Sequence, residues 1–157
     1  MKFEFSAGGI VFRRQKTKDK KQKDDIFVLL CQHSYHHGWG FPKGLIGDSP
    51  SASSGQVKET KVEAAIREVE EETGAKAEIV RALSPITYWY QFENEKIKKT
   101  VYYYIMKYAG GDITKHDTEM ENVEWVESKN VLSKLTFKAD KKVFWEAIPI
   151  IERLVAS

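Results

Sequence analysis

Arg67-Glu68-Val69-Glu70-Glu71-Glu72-Thr73-Gly74-Ala75 sets four glutamates beside one arginine, just ahead of a glycine suited to ending a helix. Like charges packed this densely call for a cation to hold them, and a divalent metal held by oxygen ligands points to phosphate chemistry. Val62, Ala65, Ile66, Val69 and Thr73 recur at helical spacing, which predicts an amphipathic helix over residues 59–73 lying on a sheet. At about 100° per residue, Glu68, Glu71 and Glu72 share one arc beside that apolar stripe, whereas Glu63 and Glu70 point elsewhere. These three carboxylates repel one another and sit at the helix end whose dipole disfavours anions. Bound Mg²⁺ or Mn²⁺ reverses that balance. Arg67 has Glu63 four residues before it and Glu71 four after. Spacing leaves it two tasks, steering Glu71 or holding Glu59 at the helix start. A solvated acidic face with one ordinary ion pair has the same spacing.

Outward from this helix the pattern is that of a sheet. Residues 3–12 and 26–31 read as strands, and Gly38, Gly40, Pro42 and Gly44 punctuate a loop. Residues 78–81, 86–92, 100–108 and 123–126 read as further strands, with a turn at 94–96 and a break at Gly110-Gly111. A second amphipathic helix is predicted over 140–155, with Val143, Phe144, Ala147, Ile148, Ile151 and Leu154 inward and a kink at Pro149. Strands alternating with helices give an α/β (α+β) class, a mixed sheet with helices on its faces. Trp89 and Tyr102 are expected to pack in the core, and Trp39 to anchor its loop.

The chain has 157 residues, 41% apolar and 31% charged, which fits one soluble globular domain spanning 1–157. No apolar run approaches the roughly 20 residues of a membrane span, and the N-terminus has no apolar stretch of signal-peptide type. Cys31 has no cysteine partner. These features favour the cytoplasm. The net charge of +2 is uneven. Residues 13–25 carry seven Lys/Arg against three Asp, and residues 59–73 carry six Glu against two cations. The basic run suits a solvated loop better than a nucleic-acid contact. Residues 45–58, rich in Ser, Gly, Pro and Ala, read as an extended loop.

The acidic segment resembles the Nudix signature, G-x5-E-x7-R-E-U-x-E-E-x-G-U with U apolar. Glu59, Arg67-Glu68, Val69, Glu71-Glu72 and Gly74 match, and Ala75 fills the last apolar position. Trp39-Gly40-Phe41-Pro42-Lys43-Gly44 is similar to the loop that leads into this box, and Ala7-Gly8-Gly9-Ile10 to the family's first strand. The signature glycine falls on Ser53, so Gly44 is its equivalent only with a nine-residue insertion. The resemblance implies a hydrolase of nucleoside diphosphates linked to another moiety, using Mg²⁺ (or Mn²⁺). It implies Glu68, Glu71 and Glu72 as metal ligands, Gly44 as a backbone ligand, and a further glutamate from a later loop. Glu119 is the candidate for that glutamate, with Glu121 second. Arg67 completes the implied catalytic set.

The surroundings of the box look like the bacterial diadenosine tetraphosphate hydrolases. Lys43, Tyr88, Tyr90, Lys99 and Tyr103 are then the expected contacts of a small-molecule nucleotide, the tyrosines stacking a base and the lysines holding phosphates. That branch implies asymmetric cleavage to ATP and AMP. Other Nudix specificities stay open: a 5′ RNA pyrophosphohydrolase, an oxidised nucleotide triphosphatase or an ADP-ribose pyrophosphatase. A non-catalytic nucleotide-binding module is the alternative outside enzymes. His33, His36 and His37 near Cys31 fit no standard zinc spacing, and one of them is a weaker candidate for a phosphate contact.

Overall fold

A computed structural model describes residues 1–15, 25–47 and 58–156. The long strand β1 (Lys2–Gln15) forms the middle of an eight-stranded sheet. It pairs antiparallel with β2 (Asp25–His33) and parallel with β7 (Glu95–Gly111). Two short strands, β3 (Trp39–Gly40) and β4 (Lys43–Leu45), stand where the sequence predicted a loop, and they dock on β2 and β1. β5 (Ala75–Ala82) and β6 (Ile86–Phe92) both pair with β7, and β8 (Met120–Glu127) pairs with β2. β5, β7 and β8 run beyond their predicted bounds because ladder pairing extends a strand past its apolar core.

One helix covers one face of this sheet and two cover the other. α1 (Lys61–Thr73) buries Ala64, Ala65 and Val69 against Ala7, Val11, Leu29 and Met106. α2 (Ser128–Lys134), which the sequence reading missed, and α3 (Lys138–Ala156) cover the opposite face. There Val131, Val143, Phe144, Ala147 and Ile151 pack on Ile10, Val28, Leu30 and Ile105. α3 is one continuous helix with Pro149 inside it.

Several expected burials are corrected. Val62, Ile66 and Leu154 are exposed, as is Trp89, whose ring meets the Lys96 ammonium at 4.6 Å. Tyr102 is half-buried under the Lys61 ammonium, 4.0 Å from its ring. On α1 the buried stripe is rotated from the predicted one: Glu68 and Glu72 lie inside it and Val62 and Ile66 outside. The basic run is split, with Arg13–Gln15 in β1 and Asp25 in β2. Residues 16–24 lie outside the described residues, as do residues 48–57, most of the predicted Ser-rich loop.

Candidate active site

α1 begins and ends on local signals. Thr60 caps its start, its hydroxyl accepting from the Glu63 N–H at 3.1 Å, while the Glu63 carboxylate accepts from the Thr60 N–H at 3.2 Å. Gly74 closes it in the left-handed conformation (φ 79°) and donates to the Glu70 carbonyl. The last turn therefore stops at the rim of the sheet, with Glu68 and Glu72 turned inward and Glu71 at the edge.

Arg67 performs both tasks the spacing left open. Its Nε and Nη2 donate to the two oxygens of Glu59 at 2.6 and 2.9 Å. Its Nη1 donates to Glu68 at 2.8 Å and to Glu71 at 3.1 Å, and Nη2 also reaches the Leu45 carbonyl. The Glu59 hydrogen bonds, before any other influence, hold the guanidinium above its ordinary pKa, and the same bonds lower that of Glu59.

The β1–β4 pairing brings the second half of the site under α1. Ala7 stands opposite Gly44 and Gly8 opposite Lys43. The fit is tight: a methyl group on Gly44 would overlap the Glu68 carboxylate. The insertion after Gly44 therefore has not moved this backbone away from the acidic helix. Beside it the Lys43 N–H donates to Glu72 at 3.1 Å. The loop after β7 is fastened from two sides. Asp117 N–H donates to the Glu71 carbonyl at 2.9 Å, and Ser34 N–H to the Glu119 carbonyl at 2.8 Å. This carries Asp117 and Glu119 to the same rim.

These residues line a cleft of about 510 Å³ that takes in Gly44, Arg67, Glu68, Glu71, Glu72 and Glu119. Beside it lies a more apolar hollow of about 560 Å³, walled by Ile86, Tyr88, Tyr90 and Tyr103. Lys43, Lys99, His36, Phe137 and Asp140 line both, so they form the junction. Tyr88 and Tyr90 stand 6.4 Å apart on one face of β6, and Tyr90 donates to Glu4 at 2.6 Å. Tyr103 is 2% exposed and forms the floor of the hollow, its hydroxyl spent on Asp140.

Burial sets the electrostatics. It raises Glu72 to about 8, opposed by the Lys43 N–H and ammonium and reinforced by Glu68 and Asp117. Burial also raises Glu68 against the pull of Arg67. For Lys43, burial lowers the pKa but Asp140, Tyr88 and Glu72 outweigh it, and the net direction is up. Lys99 goes down, through burial and then the neighbouring Lys43 charge. Burial lifts the Cys31 thiol well above its usual range, which makes it an inert core group.

The donor set tests the fit of a divalent ion. Glu68, Glu71, Glu72 and Glu119 with the Gly44 backbone offer hard oxygen, and two of these carboxylates are buried without a full counter-charge. Among the described residues no three His, Cys, Asp or Glu side chains converge closely enough to enclose an ion as they stand. Arg67 accounts for this, because its Nη1 occupies an oxygen of Glu68 and another of Glu71. The set fits a hard divalent ion in kind, provided the ion draws those oxygens from the guanidinium. The histidine segment is organised differently: His33 and His36 stack at 4.4 Å, and His37 meets Glu121 at 2.5 Å. Sequence reasoning missed Asp117, Phe137 and Asp140. Asp140 is simply the first residue of the helix predicted over 140–155, and no spacing pattern marks it.

Fold and cleft together define the Nudix class of α/β proteins. The family model for the NUDIX domain matches residues 3–147, and the chain belongs to that family. It is 33% identical over 116 residues to a Mycobacterium tuberculosis protein provisionally named mutator protein MutT4, covering 74% of this chain and 43% of that protein. It is 31% identical over 118 residues to an 8-oxo-(d)GTP phosphatase of Mycolicibacterium smegmatis, covering 75% of this chain and 32% of that protein. The chain thus spans less than half the length of these relatives. Among solved structures, a Caenorhabditis elegans Ap4A hydrolase in a binary complex matches with a TM-score of 0.63 at 24% identity, over 95% of this chain and 98% of that one. The Nudix domain of Shewanella oneidensis NrtR, in a cocrystal with ADP ribose, matches at 0.61 and 19% identity, over 96% and 88%. These structural likenesses show the fold. Among the described residues no helix is long and apolar enough to cross a membrane.

Proposed function

We propose that this chain is a divalent-metal-dependent pyrophosphohydrolase of nucleoside polyphosphates, folded as one domain and acting in the cytoplasm on diadenosine tetraphosphate to give ATP and AMP. The observation that carries the reading is the wall of residues that the two cavities share. An acidic end meets an aromatic end at two lysines, which suits a ligand that is a phosphate chain with a base attached. Nudix hydrolases generally use divalent metal ions. Glu68, Glu71 and Glu72, with the Gly44 carbonyl and Glu119, would hold Mg²⁺ or Mn²⁺. When bound, such an ion neutralises phosphate charge and lowers the pKa of a water.

The chain's own residues supply the rest. Lys43 and Lys99 take phosphate oxygens as point charges. Tyr88 and Tyr90 present ring faces to a base, and stacking of this kind contributes about 1–3 kcal/mol. Arg67 holds Glu68 and Glu71 close to the site, and their carboxylates turn from its guanidinium to take the ion. Glu119 stands at the rim as the carboxylate to take a proton from the attacking water.

Incubation with diadenosine tetraphosphate and Mg²⁺, with the products resolved, tests the reading. ATP and AMP in equal amounts are expected. ADP alone, or no turnover, overturns it. A second reading, an oxidised nucleotide triphosphatase, is favoured by one observation, the names of the mycobacterial relatives. Release of pyrophosphate from 8-oxo-dGTP at a higher kcat/KM than dinucleotide cleavage would select it.

A further inference from the structure

Among the described residues three acidic side chains are buried: Glu68 and Glu72 on α1, and Asp140 on α3. The first two belong to the acidic helix. Asp140 lies outside it, 6% exposed, in the first turn of a helix whose other buried residues are apolar. A carboxylate taken out of water costs several kcal/mol unless something offsets it, so its surroundings must be accounted for.

The fold has made room for it. One oxygen accepts from the Tyr103 hydroxyl at 3.1 Å, itself sealed in the core. The other faces Gly40, where a Cβ would stand 2.9 Å from it, tighter than ordinary packing allows. Glycine on β3, tyrosine on β7 and aspartate on α3 thus build one pocket for one negative charge. A single neutral hydroxyl is weak compensation for that charge. The cation that answers it is Lys43, which lines the same two cavities: burial pushes the Asp140 carboxyl up, and the Lys43 charge opposes that shift.

Lys43 and Asp140 form no ion pair within 4 Å. That distinction matters. A closed salt bridge would occupy the ammonium, whereas a counter-charge held at a distance orients it and leaves its three donors free. Both residues line the acidic cleft and the aromatic hollow.

We propose that Asp140 is a positioning residue for Lys43, holding the ammonium at the junction of the two halves of the cleft, where it takes an inner phosphate of the substrate chain. This rests on the reading of the cleft as a polyphosphate site. The opposite outcome is physically plain. A carboxylate near a polyphosphate repels it, so an Asp140 that did nothing for Lys43 would weaken binding, and its removal would tighten it.

The test is a double-mutant cycle of D140N and K43A, read by calorimetric titration with inorganic tripolyphosphate and by KM and kcat on diadenosine tetraphosphate with Mg²⁺. D140N is expected to weaken tripolyphosphate binding and raise KM about tenfold, with kcat changed less than about threefold. In the K43A background D140N should change neither quantity. A merely structural role would give the same loss in both backgrounds, and tighter binding by D140N would equally overturn the proposal. Should D140N fail to fold, G40A presses a methyl group on the same carboxylate without removing its charge, and a smaller loss that again disappears with K43A is expected. An unchanged G40A overturns the proposal in that case. Failure of the wild type to bind tripolyphosphate overturns it as well. If the wild type binds tripolyphosphate but cleaves no dinucleotide, the substrate reading falls while the binding cycle still decides on Asp140.

Discussion

The acidic end of the cleft and its junction with the aromatic hollow handle charge in opposite ways. At the acidic end, Arg67 binds Glu59, Glu68 and Glu71 through four short hydrogen bonds, and all four residues come from one helix and its approach. At the junction, Lys43, Lys99 and Asp140 come from β4, β7 and α3 and touch through no ion pair. The first arrangement fixes side chains rigidly. The second keeps cations within reach of a ligand while their field is set from behind. A site that must hold a mobile phosphate chain against an immobile catalytic end has use for both. Burial drives Glu72 up to about 8 and Lys99 down, so it works against the charged form at the acidic end and at the junction alike.

The largest break in this contrast should come from Glu72→Gln. It removes a buried carboxylate from the acidic end and is expected to lower kcat at least about 10²-fold with an unchanged melting profile. Activity within threefold of wild type would remove Glu72 from the site. Gly44→Ala comes next, because its methyl group displaces the Glu68 carboxylate from its seat against the β4 backbone. Misplacement on the ångström scale costs about 10²-fold. A Gly44→Ala enzyme with normal turnover would mean that Glu68 tolerates displacement.

At the other end the expected effects are smaller and fall on binding. Tyr88→Ala should raise KM for a dinucleotide about tenfold at nearly constant kcat. A loss in kcat alone would place Tyr88 with the chemistry and blur the division between the ends.

The smallest effect concerns stability. Arg67 lowers the Glu59 pKa below its unfolded value of 4.5. The contribution of this pair is therefore complete above that value and is lost as pH falls through the lowered folded pKa. Glu59→Gln should cost about 1 kcal/mol at pH 7, a cost that shrinks in denaturant titrations as pH falls through the lowered folded pKa. A cost independent of pH would assign the effect to packing.

The same division explains what could be read in advance. Glu68, Glu71, Glu72 and Arg67 lie within one turn and a half of helix, so spacing places them on one side. Gly74 marks the end of the helix by local chemistry alone, whereas the Thr60–Glu63 cap at its start went unread. The buried stripe differs from the predicted one because Val62 and Ile66 are hydrophobic yet exposed among the described residues, while Glu68 and Glu72 are charged yet buried. Periodicity assumes that apolar side chains go inside, and a functional helix violates that assumption where its carboxylates serve the site. α2 is seven residues long, too short for a periodic signal, and β3 and β4 are held by pairing to β2 and β1.

By itself the sequence determined the acidic helix, the alternation of strands and helices, and through its signature the family, since all three rest on spacings within a short segment. The tertiary structure decided the rest. It returned Gly44 to Glu68 across twenty-four residues of chain, because the β1–β4 ladder fixes that backbone whatever follows it. It also brought Asp140 to the same cavity walls as Lys43, nearly a hundred residues away, because α3 packs across the sheet there, and no local pattern encodes such a meeting.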